Sequence, residues 1–307
     1  MNTHFYHLGA TLIADLTPRP GTTRVKTNTR SMAGACAHAL PILFWLLALG
    51  GLFVAQSLNA NDRLALPPAI QGQAGPLKGK PVRYFSRDAA TLGYLTEPVS
   101  QSVKGGLILI HEWDGLTQRI KETADDLASA GFLVLATDLY RGQTGSNRSE
   151  NLKLMRAARS NSSDIIENLN AGVAHLRQTL GPDGPVATIG WCFGGGIALS
   201  FALGGDHHDG TAIFYGQLIE DPDRLAMLDH EVYGTFAGLD RGPTVDQVNA
   251  FVSGLRIAGV PNDIHIYDEV NHGFWLHVDR DPQTHTAAAR HAWHRLIRYL
   301  DRVFDAP

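Results

Sequence analysis

Short apolar runs alternate along the chain with longer segments in which apolar residues recur at helical spacing. Runs such as Gly106–Ile110 end at polar residues, as expected of strands buried on both faces. The alternation predicts an α/β fold, in which a mostly parallel twisted sheet has helices on both faces after a short antiparallel start. The predicted strands span 82–86, 92–97, Gly106–Ile110, 132–137, Val186–Trp191, 212–215, Val232–Ala237 and 263–267. The predicted helices span 120–130, 149–160, 163–180, 194–203, Val245–Ala258 and 285–303.

The N-terminal region differs in character from this pattern. Residues 40–55 are apolar and uncharged, which is short for a membrane-spanning helix of about 20 residues. Basic residues precede the run and small residues follow it, as in a secretory signal peptide. We therefore expect residues 1–60 to be a leader, with export to the periplasm or medium as its role. The alternatives are an uncleaved membrane anchor through residues 40–58 and a buried core helix.

Composition separates this leader from the rest of the chain. Residues 61–80 are rich in Pro, Gly and Gln, which predicts a linker and leaves residues 81–307 as one α/β domain.

The net charge of the chain is -4, so it has no positively charged surface of the kind that binds nucleic acid. The histidine spacings do not converge on a metal site, and we expect neither a metal nor an organic cofactor.

Only two cysteines are present, and Cys36 lies in the leader, so the domain carries the single thiol of Cys192. A lone cysteine is most often a small buried hydrophobe. Cys192, however, stands between Gly190 and Gly194 where a predicted strand meets a helix, the pattern of a nucleophile elbow. The glycines remove side chains that would collide across the sharp turn, and the helix N-terminus favours an anion. Glycine-rich turns of this kind also occur where helices pack closely or phosphates bind.

The same turn predicts the donors of an oxyanion hole. The backbone N–H of Phe193 would be one donor, and that of Trp113, in the loop after the strand Gly106–Ile110, would be the second.

Two later loops contain a candidate general base and a carboxylate to orient it. Asp240 follows an apolar strand and His272 follows the next one, in the chain order nucleophile, acid, histidine.

Imidazole can take a thiol proton near neutral pH, and a carboxylate fixes its tautomer. Asp268 and Glu269 compete with Asp240 for the second role. The remaining histidines of the domain include five that we expect on loops or helix surfaces: His207, His208, His285, His291 and His294.

Taken together, these segments resemble the dienelactone hydrolase family of α/β-hydrolases over residues 82–304. The resemblance rests on His111 to Gly115, Asp138 to Tyr140, Gly190 to Gly195, Gly238 to Asp240 and Asn271 to Phe274. It implies the α/β-hydrolase fold and a Cys192–Asp240–His272 triad. It also implies that Glu112 lies beside the thiol and controls its ionisation, which is plausible because like charges in contact oppose each other.

One departure from the family concerns the substrate. Members that use dienelactone have an arginine shortly after the catalytic histidine to bind the substrate carboxylate, whereas none follows His272 before Arg280. Trp or Leu cannot replace a bidentate arginine. Arg156 or Arg159 could supply the second arginine of the family. Three aromatic residues then predict a more apolar pocket: Trp113, Phe274 and Trp275.

The resemblance implies a carboxymethylenebutenolidase-type hydrolase that cleaves a small ester or lactone through an acyl-thioester on Cys192. The alternatives are a cysteine-dependent acyltransferase or thioesterase, and a binding or redox-sensing protein that does not turn over. The chain is compatible with a monomer or a dimer.

Overall fold

The computed structural model of the protein describes residues 65–100 and 102–305, and a single eight-stranded sheet lies at its centre. In chain order, its strands are β1 Lys80–Val82, β2 Gly93–Thr96, β3 Gly106–Ile110, β4 Leu133–Ala136, β5 Val186–Trp191, β6 Gly210–Phe214, β7 Val232–Ala237 and β8 Asn262–Tyr267. Across the sheet they lie in the order β1-β2-β4-β3-β5-β6-β7-β8. The pairs β1–β2 and β2–β4 are antiparallel, and all other pairs are parallel.

Helices cover both faces of the sheet because successive residues of a strand point to opposite sides. The helices are α1 Gln118–Ser129, α2 Arg148–Arg159, α3 Ser162–Leu180, α4 Phe193–Gly204, α5 Pro222–Leu225, α6 Val245–Ala258 and α7 Pro282–Phe304. In β3, Leu107 and Leu109 face the side covered by α1 and α7, while Ile108 and Ile110 face the side covered by α3 and α4. The predicted mostly parallel sheet with helices is therefore confirmed.

The start of the domain differs from the expectation. The predicted strand 82–86 is replaced by the earlier and shorter β1, because Tyr84 and Phe85 turn inward and pack in the core. The Tyr84 hydroxyl donates to Asn168 at 2.6 Å. Within the expected linker, Ile70 is fully buried and the Ala69 N–H donates to the Asp126 carboxylate at 2.8 Å. This part of residues 61–80 is therefore packed against the domain.

Two histidines expected at the surface are buried. His208 and His285 expose only 2% and 4% of their surface. The His208 ring stacks on Phe201 and its two nitrogens hydrogen-bond to Asp206 and Thr211, so that burial leaves neither nitrogen unpaired.

Within the part of the chain that the structure describes, no helix has the length and apolar character needed to cross a membrane. The expected signal or anchor at residues 40–58, like the whole leader 1–60, lies outside the described residues.

Candidate active site

The candidate residues gather at the carboxyl edge of the parallel part of the sheet. Cys192 follows β5, Asp240 is in the loop after β7, and His272 is in the loop after β8. Glu112 follows β3 and Tyr215 follows β6. Parallel strands end at one common edge, so residues distant in sequence meet there, where α/β proteins commonly bind ligands.

Cys192 lies on a strained turn between β5 and α4. Its backbone angles are φ 55° and ψ -114°, unfavourable for a residue with a side chain. Its N–H donates to the Phe214 carbonyl at 3.0 Å. A Cβ at Gly190 would lie 2.1 Å from the Gly194 carbonyl oxygen, and one at Gly194 would lie 2.2 Å from the Ile110 carbonyl oxygen. The turn therefore has the geometry of the predicted elbow, and both glycines are required sterically.

The two expected oxyanion donors lie on adjoining backbone segments. Phe193 is the first residue of α4, so its N–H has no acceptor within the helix. The close approach of Gly194 to Ile110 brings the start of α4 against the end of β3. Trp113 lies in the turn that follows β3. A hydrogen bond from the Gly115 N–H to the Glu112 carbonyl, at 3.3 Å, closes this turn.

His272 pairs with Asp240. Its Nδ1 lies 2.7 Å from Asp240 Oδ2, and Cys192 lies near enough to raise the pKa of its ring. The Asp240 side chain is only 5% exposed, whereas the competing Asp268 and Glu269 are exposed. Burial lowers the pKa of His272, but its interactions with Asp240 and Cys192 outweigh burial and raise that pKa to about 10. The imidazole is thus poised to hold the thiol proton.

Tyr215 is a site residue that the sequence analysis missed. Its ring centroid is 4.9 Å from that of His272, and its hydroxyl accepts from the Leu276 N–H at 3.3 Å. Burial raises the pKa of Tyr215 well above its usual value, and the charges of Glu112 and Cys192 raise it further. A tyrosine directly after a parallel strand was the only signal that could have indicated it.

Glu112 makes a contact that the resemblance did not imply. Its Oε2 lies 2.7 Å from Nε2 of His277, and both side chains are nearly buried. The Glu112 carbonyl accepts from Nδ1 of His111 at 2.6 Å. Burial lowers the pKa of His111, whose Nε2 accepts from the Leu139 N–H at 3.2 Å, so this ring is neutral. His277 and His111 were not among the predicted site residues.

The expectation of an apolar pocket is wrong for two of its three residues. Phe274 and Trp275 are fully buried, and Trp275 stacks on Trp191 inside the core at 5.8 Å between ring centroids. Trp113 is half-buried. The cavity beside His272, of about 340 Å³, is instead polar, lined by Asn271, His272, Gly273, His277, Arg280, Asp281 and His285.

The two other candidate arginines lie on α2. Both are exposed, and the Arg159 guanidinium stands over the ring of Phe193, 5.5 Å from its centroid. Among residues 65–100 and 102–305, no group of three or more His, Cys, Asp or Glu side chains is arranged to hold a metal ion.

Comparison with known proteins decides the family. The sequence pattern of the dienelactone hydrolase family matches residues 92–304, most of the chain. The chain belongs to the dienelactone hydrolase family. This confirms the resemblance and makes a hydrolase the general class of the protein.

Relatives of the family agree with the match. A Methylorubrum extorquens protein named "Putative carboxymethylenebutenolidase" is 25% identical over 261 residues, covering 79% of this chain and 89% of that one. "Protein usf" of Aquifex pyrophilus is 27% identical over 234 residues, covering 72% and 97%. A dienelactone hydrolase-like promiscuous phosphotriesterase from metagenomic libraries superposes with a TM-score of 0.63 at 20% identity, covering 75% and 99%. The last likeness concerns the fold alone.

Proposed function

We propose that the protein hydrolyses carboxylic ester or lactone bonds, with Cys192 as nucleophile, His272 as general base and acid, and Asp240 as the partner that orients His272. The observation that carries this proposal is the 2.7 Å hydrogen bond between His272 Nδ1 and the buried carboxylate of Asp240, at the sheet edge where Cys192 lies on its elbow. The three residues follow the carboxyl ends of β5, β7 and β8, with the thiol on an elbow that only glycine neighbours allow.

The first half of the reaction forms an acyl-enzyme. His272 accepts the thiol proton, and the Cys192 sulfur attacks the carbonyl carbon, forming a C–S bond. The negative charge that develops on the carbonyl oxygen is stabilised by the Phe193 and Trp113 N–H groups. Collapse of this intermediate breaks the C–O bond, and His272 returns the proton to the departing alkoxide. In a lactone, the released oxygen remains tethered to the acyl group.

The second half releases the acid. A water molecule gives a proton to His272 and attacks the thioester carbonyl, and the C–S bond breaks as His272 returns that proton to the sulfur. Asp240 stabilises the imidazolium in both halves without taking its proton. The sum of the two halves consumes one water and restores the thiol.

Glu112 supplies a second level of control in this proposal. Glu112 and Cys192 follow the adjacent strands β3 and β5, so both lie at the same part of the carboxyl edge. A carboxylate there opposes a negative charge on the thiol, and a substrate that offsets the charge of Glu112 would release the thiol for attack.

The polar cavity beside His272 bears on the substrate. With Phe274 and Trp275 inside the core, aromatic side chains do not replace the arginine that other family members use. Arg280 lies in the wall of this cavity. We therefore favour esters or lactones with a polar or anionic substituent over purely apolar ones.

Steady-state hydrolysis of short p-nitrophenyl esters and a simple enol lactone by the full chain tests the reaction class. Sustained turnover that Cys192→Ala abolishes is expected. One equivalent of product followed by arrest would contradict hydrolysis and favour a redox or binding role. Product formation that depends on an added alcohol or thiol acceptor would favour an acyltransferase.

We also propose that residues 1–60 direct export or anchor the chain at a membrane. The support is the uncharged run 40–55 with basic residues before it and small residues after it. Fractionation of cells that express the full chain, with N-terminal sequencing of the product, tests this proposal. Uncleaved protein in the cytosolic fraction would contradict it.

A further inference from the structure

The side chains of Glu112 and His277 form a buried hydrogen bond that belongs to neither the triad nor the oxyanion donors. Glu112 Oε2 and His277 Nε2 are 2.7 Å apart, and the two side chains are 9% and 11% exposed. The residues are separated by 165 positions in the chain. Carboxylate oxygen can only accept, so His277 Nε2 carries the proton of this bond.

The bond joins the two loops that must cooperate in the proposed reaction. On one side, Glu112 directly precedes Trp113, one of the proposed oxyanion donors. On the other side, His277 lies five residues after His272 and lines the same cavity. We refer to residues 111–115 as the oxyanion loop and to residues 271–280 as the histidine loop.

Both loops are otherwise held by contacts outside the bond. In the oxyanion loop, Nε2 of His111 accepts from the Leu139 N–H, in the segment after β4, at 3.2 Å. In the histidine loop, Arg119 of α1 donates to the Leu276 carbonyl at 3.1 Å and pairs with Asp279 at 2.6 Å. These contacts anchor each loop to the scaffold, whereas the Glu112–His277 bond links one loop directly to the other.

Stability alone is a weak reason for such a pair. Removing a carboxylate and an imidazole from water is costly, and apolar side chains of similar volume often stabilise a protein as well or better. Geometry gives a stronger reason, because small displacements of catalytic groups are costly in rate. A directional bond between the loops limits the displacement of the Trp113 N–H relative to the His272 ring.

We propose that His277 is a positioning residue, which holds Glu112 and thereby fixes the oxyanion loop against the histidine loop. This inference rests on the proposed function. It predicts that the hydrogen bond to Glu112, rather than the imidazole itself, is what the reaction requires. A side chain that donates from the position of Nε2 should therefore replace His277, and a shorter one should not.

His277→Gln and His277→Asn form a matched pair for this test. The amide nitrogen of Gln reaches approximately the position of His Nε2, whereas the shorter Asn places its amide near the position of Nδ1. We expect His277→Asn to lower kcat roughly 10-fold or more with a small change in KM. His277→Gln should retain most of the wild-type kcat. Equal loss in both variants, or no loss in His277→Asn, would overturn the proposal.

A second measurement does not depend on turnover. In the full chain carrying Cys36→Ser, the rate at which iodoacetamide alkylates Cys192 at neutral pH reports how well His272 activates the thiol. His277→Asn should slow alkylation and His277→Gln should restore it. This pattern without any ester turnover would contradict the proposed hydrolase function and leave the positioning role intact. Normal turnover in wild type with equal alkylation in both variants would contradict the positioning role alone.

Glu112→Gln combined with His277→Asn completes the test. If His277 acts through Glu112, the double variant should lose no more activity than the more damaged single variant. Independent, multiplicative losses would show that His277 acts by another route.

Discussion

Asp240 Oδ2 and His272 Nδ1 lie 2.7 Å apart, although 32 residues separate them in the chain. Because the carboxylate can only accept, Nδ1 carries a proton and Nε2 is left for the thiol. The side chain of Asp240 is buried while that of His272 is partly exposed, so the imidazole can meet both substrate and enzyme groups.

Asp240→Asn should keep the fold and remove most of the activity. An amide at this position can stabilise the wrong tautomer and cannot offset the imidazolium charge, so kcat should fall roughly 10²- to 10⁴-fold. Asp268→Asn is the matched control, because Asp268 is exposed and was the competing candidate. Equal loss of kcat in the two variants, measured with one ester, would remove Asp240 from its proposed role.

The elbow predicts a sharp contrast between two glycines that border α4. In Gly190→Ala, the new Cβ would meet the Gly194 carbonyl oxygen at 2.1 Å, a backbone contact that a side-chain rotation cannot relieve. We expect a loss of at least about 3 kcal/mol in the free energy of unfolding. Gly204→Ala, with nothing within 4 Å of its Cβ, should change that free energy by no more than about 0.5 kcal/mol. Urea denaturation compares the two, and similar values would refute the steric argument.

The raised pKa of His272 predicts the alkaline limit of the reaction. With a pKa of about 10, His272 keeps the proton that it takes from Cys192 at neutral pH and can give it to the leaving group. For an alkyl ester, kcat/KM should therefore decline as pH rises through about 10. A p-nitrophenyl ester should show a weaker decline, because its leaving group departs without a proton. Identical alkaline limbs for both esters would count against His272 as the acid.

His208 lies at the opposite edge of the sheet, and its buried ring should make the stability of the protein depend on pH. Burial, followed by the nearby His230, lowers the pKa of His208 from 6.5 to about 3. The unfolded chain binds this proton more readily, so the contribution of His208 to stability is complete above pH 6.5 and falls as pH drops towards 3. Over that whole range the loss amounts to at most about 5 kcal/mol.

Denaturation of wild type and His208→Gln at neutral and mildly acidic pH measures this effect. The variant should lose less stability on acidification than wild type does. His207→Gln is the control, since the His207 side chain is 61% exposed. If the control flattens the pH dependence as much as His208→Gln, the assignment to the buried ring is wrong.

Much of the fold follows from local pattern. The bounds of β3, β5, β7 and α6 agree with the sequence prediction to the residue, because each is a continuous apolar or periodic segment with clear polar ends. The elbow was also predictable, since its glycine spacing is a property of six consecutive residues. The convergence of Cys192, Asp240 and His272 was predictable as well, because each follows a parallel strand and parallel strands share one carboxyl edge.

The contacts that sequence could not predict join distant segments. Trp275 was expected to line the pocket, but the tertiary fold gives it Trp191 as a stacking partner in the core. The hydrogen bond between Glu112 and His277 was likewise not predicted. Neither His277 nor Tyr215 carries a local motif, so only the packed loops reveal their place in the site.

The most direct test of the central claim is to trap the acyl group on the enzyme. The full chain is mixed with a short p-nitrophenyl ester, quenched in acid during turnover, digested and analysed by mass spectrometry. The acyl group should be found on the peptide that contains Cys192, should form at least as fast as kcat, and should be absent from Cys192→Ala. Sustained turnover with no acyl group on Cys192, or with the acyl group on another residue, would contradict the account.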